Sequence, residues 1–203
     1  MIKSVLKGSL VAALGTVIFS AETLAFDLQT LSKSLGSAQL STGHFVQERE
    51  LAGFPKPMRT EGVYFLDLKK GIVWETLKPF ANTMIFSEKG IKSVNKHGAQ
   101  VISAQDIPYL KTVNALMLSL FSTQTERLDK DFDILLKGSS AHWTMTLVPK
   151  KTSALATVFK TMEITGAASP ESIKMVNRQN ETTRLQLSKH EKLTRWPDRL
   201  EPL

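Results

Sequence analysis

Cysteine is absent from all 203 residues. That removes several devices at once: a disulfide framework, a thiolate metal site, and an acylated cysteine behind a leader peptide. Histidine is scarce, and His44, His97, His142 and His190 stand too far apart for the close helical spacing of a metal site. Each reads most simply as a surface or turn residue. The chain has no Gly-x-Ser-x-Gly elbow and no glycine-rich phosphate loop. Glu48 and Glu50, two apart on one strand face, suit a charged outer face better than an acid–base pair. The chain therefore reads as a binding protein and not an enzyme, with no metal and no cofactor expected. Long apolar runs are lacking too. The one clear run, Ser9 to Phe19, falls well short of the about 20 residues a membrane helix needs.

That run follows Lys3 and Lys7 and precedes Thr23-Leu24-Ala25, the layout of a signal peptide. Residues 1–25 are read as an export signal cleaved after Ala25, and residues 26–203 as one soluble exported domain without an internal linker. Removing Lys3, Lys7 and Glu22 leaves 24 basic against 18 acidic side chains, a balance of about +6. A basic domain suits anionic membrane surfaces or acidic partners. Its basic residues are dispersed and its address is outside the cytoplasm, so nucleic acid is not an expected partner.

The centre of the pattern is residues 43–90. Four antiparallel strands are predicted there, at 43–51, 62–68, 71–77 and 83–87, separated by Gly53, Pro55 and Pro57, by Lys69-Lys70, and by Pro79. In the second strand Val63, Tyr64, Phe65 and Leu66 put apolar side chains on both pleat faces, so both faces need cover. Short strands follow at 91–95 and 100–103. From residue 132 the chain returns to strands at 132–137, 142–148, 157–165, 173–177 and 183–188. Here the alternation is clean: Trp143, Met145 and Leu147 point one way and His142, Thr144 and Thr146 the other, as in a sheet with one wet face.

Two helices interrupt the strands. The first is predicted over 27–40, capped by Asp27 with a stripe at Leu28, Leu31 and Leu35. The second runs from Pro108 to Phe121, with Ile107, Leu110, Val113, Met117 and Leu120 at helical steps and Leu116 and Phe121 widening the apolar face. Thr123 and Glu126 fit a capping box for one more turn. The tail from Lys189 to Leu203, with Trp196, Pro197 and Pro202, has no pattern that places it.

The order Phe45-x-Gln47, Gly62 opening an aromatic strand with Tyr64 and Phe65, Trp74-Glu75, a proline, then Ile85-Phe86-Ser87-x-x-Gly90 resembles the periplasmic outer-membrane lipoprotein carrier family, the LolA-like proteins. The resemblance implies an α+β fold, a curved antiparallel sheet forming an open half-barrel closed by helices over an apolar cavity. It implies a monomeric carrier that takes acyl chains of lipoproteins, or related lipids, toward the outer membrane, between inner-membrane donor and outer-membrane acceptor proteins and with transient contact at the membrane surface. By resemblance, Phe45, Phe65, Trp74 and Ile85 on the sheet and Leu116, Met117, Leu120 and Phe121 on the middle helix are the candidate lining. Members of the family typically carry Arg-Pro between the aromatic and tryptophan strands, the arginine helping to control the lid. This chain has Asp67-Leu68-Lys69-Lys70-Gly71 there, so Lys69 and Lys70 are the candidates for lid control, although lysine lacks the planar multi-donor fork of arginine. That departure keeps two alternatives open: a carrier of a polyketide-type lipid or glycolipid, and a periplasmic lipid-sensing or signalling module on the same fold.

Overall fold

The computed structural model describes residues 26–35, 39–87, 90–95, 98–102, 116, 119, 125–198 and 200. The segment 1–25 expected to be an export signal, and the stretch from Pro108 to Phe121 expected to be a helix, apart from Leu116 and Ser119, lie outside these residues. Helix α1, Leu28–Leu35, begins where Asp27 accepts the Thr30 amide on its carboxylate at 2.8 Å and the Leu31 amide on its carbonyl at 2.9 Å. This is the expected cap, and the hydrogen bonds from Thr30 hold the Asp27 carboxyl below its ordinary value. The predicted extension to residue 40 is corrected: Leu40 is already strand. Its apolar side chain continued the helical stripe, but the residue opens β1 opposite Asp67.

Eleven strands follow: β1 Leu40–Arg49, β2 Met58–Asp67, β3 Gly71–Lys78, β4 Asn82–Ser87, β5 Gly90–Asn95, β6 Gly98–Ile102, β7 Phe132–Ser139, β8 His142–Pro149, β9 Phe159–Gly166, β10 Pro170–Asn177 and β11 Thr182–Lys192. They form one antiparallel sheet in the order β6-β5-β4-β3-β2-β1-β11-β10-β9-β8-β7. The sheet is not closed on itself. Strand β2 starts four residues before the predicted Gly62, and β11 runs four residues past the predicted Ser188, taking the first residues of the tail into the sheet. A 3-10 helix, Thr125–Lys130, precedes β7, and another, Ala154–Thr157, precedes β9.

Register sorts the side chains. Phe45 stands opposite Gly62 and Leu187, Tyr64 opposite Gly43 and Trp74, and Ile72 opposite Leu66 and Phe86. These residues join Leu31 and Leu35 of α1, Leu116, and Trp143, Met145, Leu147, Met162, Ile164 and Ile173 of the second half in one buried cluster. This side is termed the helix face. Burying Leu31 and Leu35 contributes about 1.5–3 kcal/mol each, which outweighs the weak propensity of so short a helix. The opposite parity, Phe65, Val73 and Ile85, makes a separate cluster on the back face.

The tail has a place after all. Leu193 donates its amide to the Leu40 carbonyl at 2.9 Å, and Leu193, Trp196 and Leu200 pack on the back-face cluster. Trp196 meets Phe65 edge-on with ring centroids 6.4 Å apart. Farther along the same face, cross-strand charges replace apolar contacts: Arg59 bridges Glu48 at 2.9 Å, Lys78 reaches Glu61 at 3.0 Å, and Arg184 pairs with Glu50. The outer-face reading of Glu48 and Glu50 thus has its partners, although such exposed pairs contribute little to stability.

Candidate functional site

Two glycines let aromatic rings lie across the sheet. A Cβ at Gly43 would sit 2.4 Å from the Tyr64 hydroxyl, and one at Gly62 would sit 1.9 Å from the Glu75 carbonyl oxygen and 2.8 Å from the Phe45 ring. Each aromatic therefore covers the glycine opposite it on the neighbouring strand, and the rings form a continuous layer. Phe45 and Trp74 stack with centroids 4.1 Å apart, Trp74 and Tyr64 at 5.9 Å, and Tyr64 and the His190 imidazole at 6.3 Å. The layer spans β3, β2, β1 and β11 on the helix face.

His190 reaches the layer because β11 is irregular there. The pairing of β1 with β11 shifts between Thr42 and His44, and Lys189 takes a left-handed φ of 50°. Its Nδ1 lies 2.9 Å from the Tyr64 hydroxyl. Burial pushes the Tyr64 phenol up to about 12, so it stays protonated, and its O–H is assigned as the donor to Nδ1. Burial, and secondarily the Lys192 ammonium, hold the imidazole below its ordinary value. Together the phenol and the imidazole form a polar break in an apolar wall.

Two openings give onto the helix face. A groove of about 600 Å³ runs along strand β7, where Leu28, Phe132, Ile134 and Leu136 supply an apolar floor and Asp27, Asp129, Asp133 and Lys150 a polar rim. A second recess, about 370 Å³, lies beside Tyr64, Leu187 and His190 and is flanked by Ser169, Glu171 and Lys189.

The structure separates the residues that the sequence grouped as one lining. Phe45 and Trp74 are on the helix face, in the same cluster as Leu116, while Phe65 and Ile85 are on the back face under the tail. A single surface cannot include all four sheet residues, because Phe65 and Ile85 have the opposite parity to Trp74 in the ladder. Leu116 is 6% exposed. Met117, Leu120 and Phe121 lie outside the described residues. Lys69 and Lys70 are exposed in the β2–β3 turn, where the Lys69 amide donates to the Asp67 carboxylate at 2.9 Å and the Lys70 amide to the Asp67 carbonyl at 3.1 Å. Sequence reasoning passed over Tyr64 as a site residue and left His190 as a surface residue. The usable signal was Gly43 in β1, since a glycine inside a strand marks a close approach.

Residues 36–200 match the family model described as outer membrane lipoprotein carrier protein LolA. The fold is similar to that of a LolA superfamily protein from Nitrosomonas europaea, with a TM-score of 0.50 and 9% identity over 86% of this chain and 96% of that one. A putative outer membrane lipoprotein-sorting protein domain from Vibrio parahaemolyticus aligns at TM-score 0.46 and 12% identity, covering 84% of this chain and 93% of that one. No curated protein matches the chain in sequence.

Proposed function

The chain belongs to the outer membrane lipoprotein carrier family LolA, and from that premise we propose that it is a periplasmic carrier. It holds acyl chains against the helix face of the sheet and moves lipoproteins or related lipids toward the outer membrane. The observation that carries this reading is the helix face itself. Its aromatic and aliphatic layer is continuous from Trp74 to Leu147, and a groove of about 600 Å³ with an apolar floor opens onto it at β7. In this reading the sheet is a half-barrel, α1 and the helix containing Leu116, Met117, Leu120 and Phe121 are its cover, and the acyl chain replaces the contacts that the cover makes in the empty protein. Phe45 and Trp74 are the sheet residues retained as lining.

Energetics decide what the cover must do. Each buried methylene contributes about 0.8 kcal/mol, so a chain of about 16 carbons has a gross burial term on the order of 12 kcal/mol. Delivery from a rigid pocket would be too slow to be useful. In this reading the helix expected over Pro108 to Phe121 supplies the motion, as a low-stability element that opens locally. Lys69 and Lys70 modulate that opening modestly, since neither makes the multi-donor contact of the family's arginine. The export signal is removed after Ala25. The mature protein works as a monomer between a donor at the inner membrane and an acceptor at the outer membrane, touching the membrane surface only transiently.

Purification from the native periplasm, mass analysis of the N-terminus and extraction of bound lipid test this reading together. The expected result is a chain beginning at Phe26 that releases triacylated lipoprotein or free acyl lipid. A stable inner-membrane partner with no transferable lipid would favour the sensing module, and a protein that is empty and takes up no acyl probe would remove carriage.

A further inference from the structure

Exposed apolar side chains are not spread evenly over this molecule. Among the described residues six large ones face solvent, and four of them, Phe54, Met58, Leu77 and Phe80, belong to one end of the sheet. Residues 50–57 join β1 to β2 and residues 79–81 join β3 to β4, and the pairing of Glu61 with Lys78 brings the start of β2 and the end of β3 to the same end. Phe80 is 83% exposed and Phe54 62%, and neither ring joins an apolar cluster. The longer loop is braced. Its Ala52 amide donates to the Glu181 carboxylate at 3.0 Å, and the other oxygen of that carboxylate accepts from the Asn177 side-chain amide at 2.7 Å. The Phe54 amide donates back to the Leu51 carbonyl at 3.1 Å, around Gly53 at a left-handed φ of 82°. Phe54 is thus presented to solvent on a held turn. Pro55, Pro57 and Pro79 take three amide donors out of the two loops, so fewer backbone groups need a partner when the loops leave water. Residues 51–59 and 77–82 contain Lys56, Arg59 and Lys78 and no acidic residue. Glu48 and Glu61, on the strands behind them, are bridged to Arg59 and Lys78.

We propose that these two loops form a docking tip for an anionic lipid surface, with Phe54 and Phe80 entering the headgroup zone and Lys56 and Lys78 facing the phosphates. The inference rests on the carrier reading and deepens it, by naming the part of the chain that touches the membrane. Aromatic rings favour the headgroup zone of a bilayer. Lysine suits its border, because the aliphatic stem lies along apolar surface while the ammonium stays with water and phosphate, and each basic side chain near an anionic leaflet adds to the attraction. Two separate loops with few backbone donors suit a fluid surface, which needs no matching shape. Two rings and a few charges also make a weak and reversible anchor, as a protein that must leave one membrane for another requires.

The test is co-flotation of the purified protein with vesicles of phosphatidylcholine alone or mixed with phosphatidylglycerol, run beside uptake of a fluorescent acyl probe. Wild-type protein is expected to partition onto the mixed vesicles more strongly than onto phosphatidylcholine. Phe54→Ser and Phe80→Ser should each lower that partitioning about tenfold, and Lys56→Gln about fivefold on the mixed vesicles only. Leu135→Ser removes an exposed apolar side chain in the other half of the sheet and should change nothing. Circular dichroism checks the folds, which replacements of such exposed side chains are expected to leave intact. Unchanged partitioning in both phenylalanine variants, or an equal loss in Leu135→Ser, overturns the docking tip. Self-association of the wild type that Phe80→Ser abolishes would assign the patch to a second copy and overturn the lipid occupant. A wild type that takes up the acyl probe but ignores vesicles overturns the tip and leaves carriage intact, whereas vesicle binding through Phe54 and Phe80 without probe uptake supports the tip and counts against carriage alone.

Discussion

In strands β8 and β9 the back face carries Thr144, Thr146, Thr161 and Glu163, all at least partly exposed, while Trp143, Met145, Leu147, Met162 and Ile164 are buried on the helix face. In β2 to β4 the back face carries Phe65, Val73 and Ile85, with Val63 beside them, and the C-terminal tail lies over it. One half of the sheet is thus a two-layer structure, and the other is a three-layer one. The difference shows where each half draws its stability. The second half rests on a single cluster of large side chains. The first divides its apolar area between two faces, so neither cover has to be permanent for the sheet to persist.

The largest effect that would test this comparison is Trp143→Ala. The ring is 1% exposed, and its Nε1 donates to the Ala167 carbonyl at 2.8 Å. A loss of about 3–5 kcal/mol is expected in urea unfolding, and a loss below about 1 kcal/mol would mean that the second half does not depend on its one cluster. Next comes Trp196→Ala. The tail covers only a small patch, and the indole is partly exposed, so the cost should be about 1–3 kcal/mol, accompanied by new binding of an apolar dye. Thr146→Ala, on the wet back face of the second half, is the control and should stay within about 0.5 kcal/mol. Equal effects at Trp196 and Thr146 would break the contrast between the two back faces.

The smallest effect lies at the join between the halves. The folded imidazole of His190 is held below the ordinary 6.5, so the unfolded chain binds the proton more readily. The stability tied to this group is therefore full above about pH 6.5, falls as the pH drops from there toward the folded value, and levels off below it. His190→Phe should flatten that segment of the stability–pH curve. An unchanged slope in the variant would show that other groups produce it.

The sequence carried the number and direction of most strands, because turn residues and period-two alternation are local properties. Clean alternation at Trp143, Met145 and Leu147 also identified the buried face there. It could not do so in β2 and β3. Both parities are apolar in Val63-Tyr64-Phe65-Leu66 and Ile72-Val73-Trp74, and the face is then set by register and by the shift at Glu61–Gly62, which are non-local. For that reason Phe65 and Trp74 were grouped although they point apart. The tail was opaque for another reason: Trp196 and Pro197 sit in no repeating pattern, and only the existence of an uncovered apolar patch gives them a position. His190 was hidden by its charged neighbours Lys189, Glu191 and Lys192, which mark a solvated strand end unless the bulge is known.

Every neighbouring pair of strands in the sheet is consecutive in the chain except one, β1 with β11. Two local meanders, β1–β6 and β7–β11, can each zip up from short hairpins, whereas joining them requires residues near 45 to find residues near 187. The entropy of closing that long loop falls on a single pairing. Assembly therefore has a late seam, and it runs through the middle of the sheet and not along its rim. The seam is also where His190 meets Tyr64. The stack of Phe45, Tyr64 and Trp74 belongs to the first meander alone, and the polar end of the layer is completed only once the two meanders have docked.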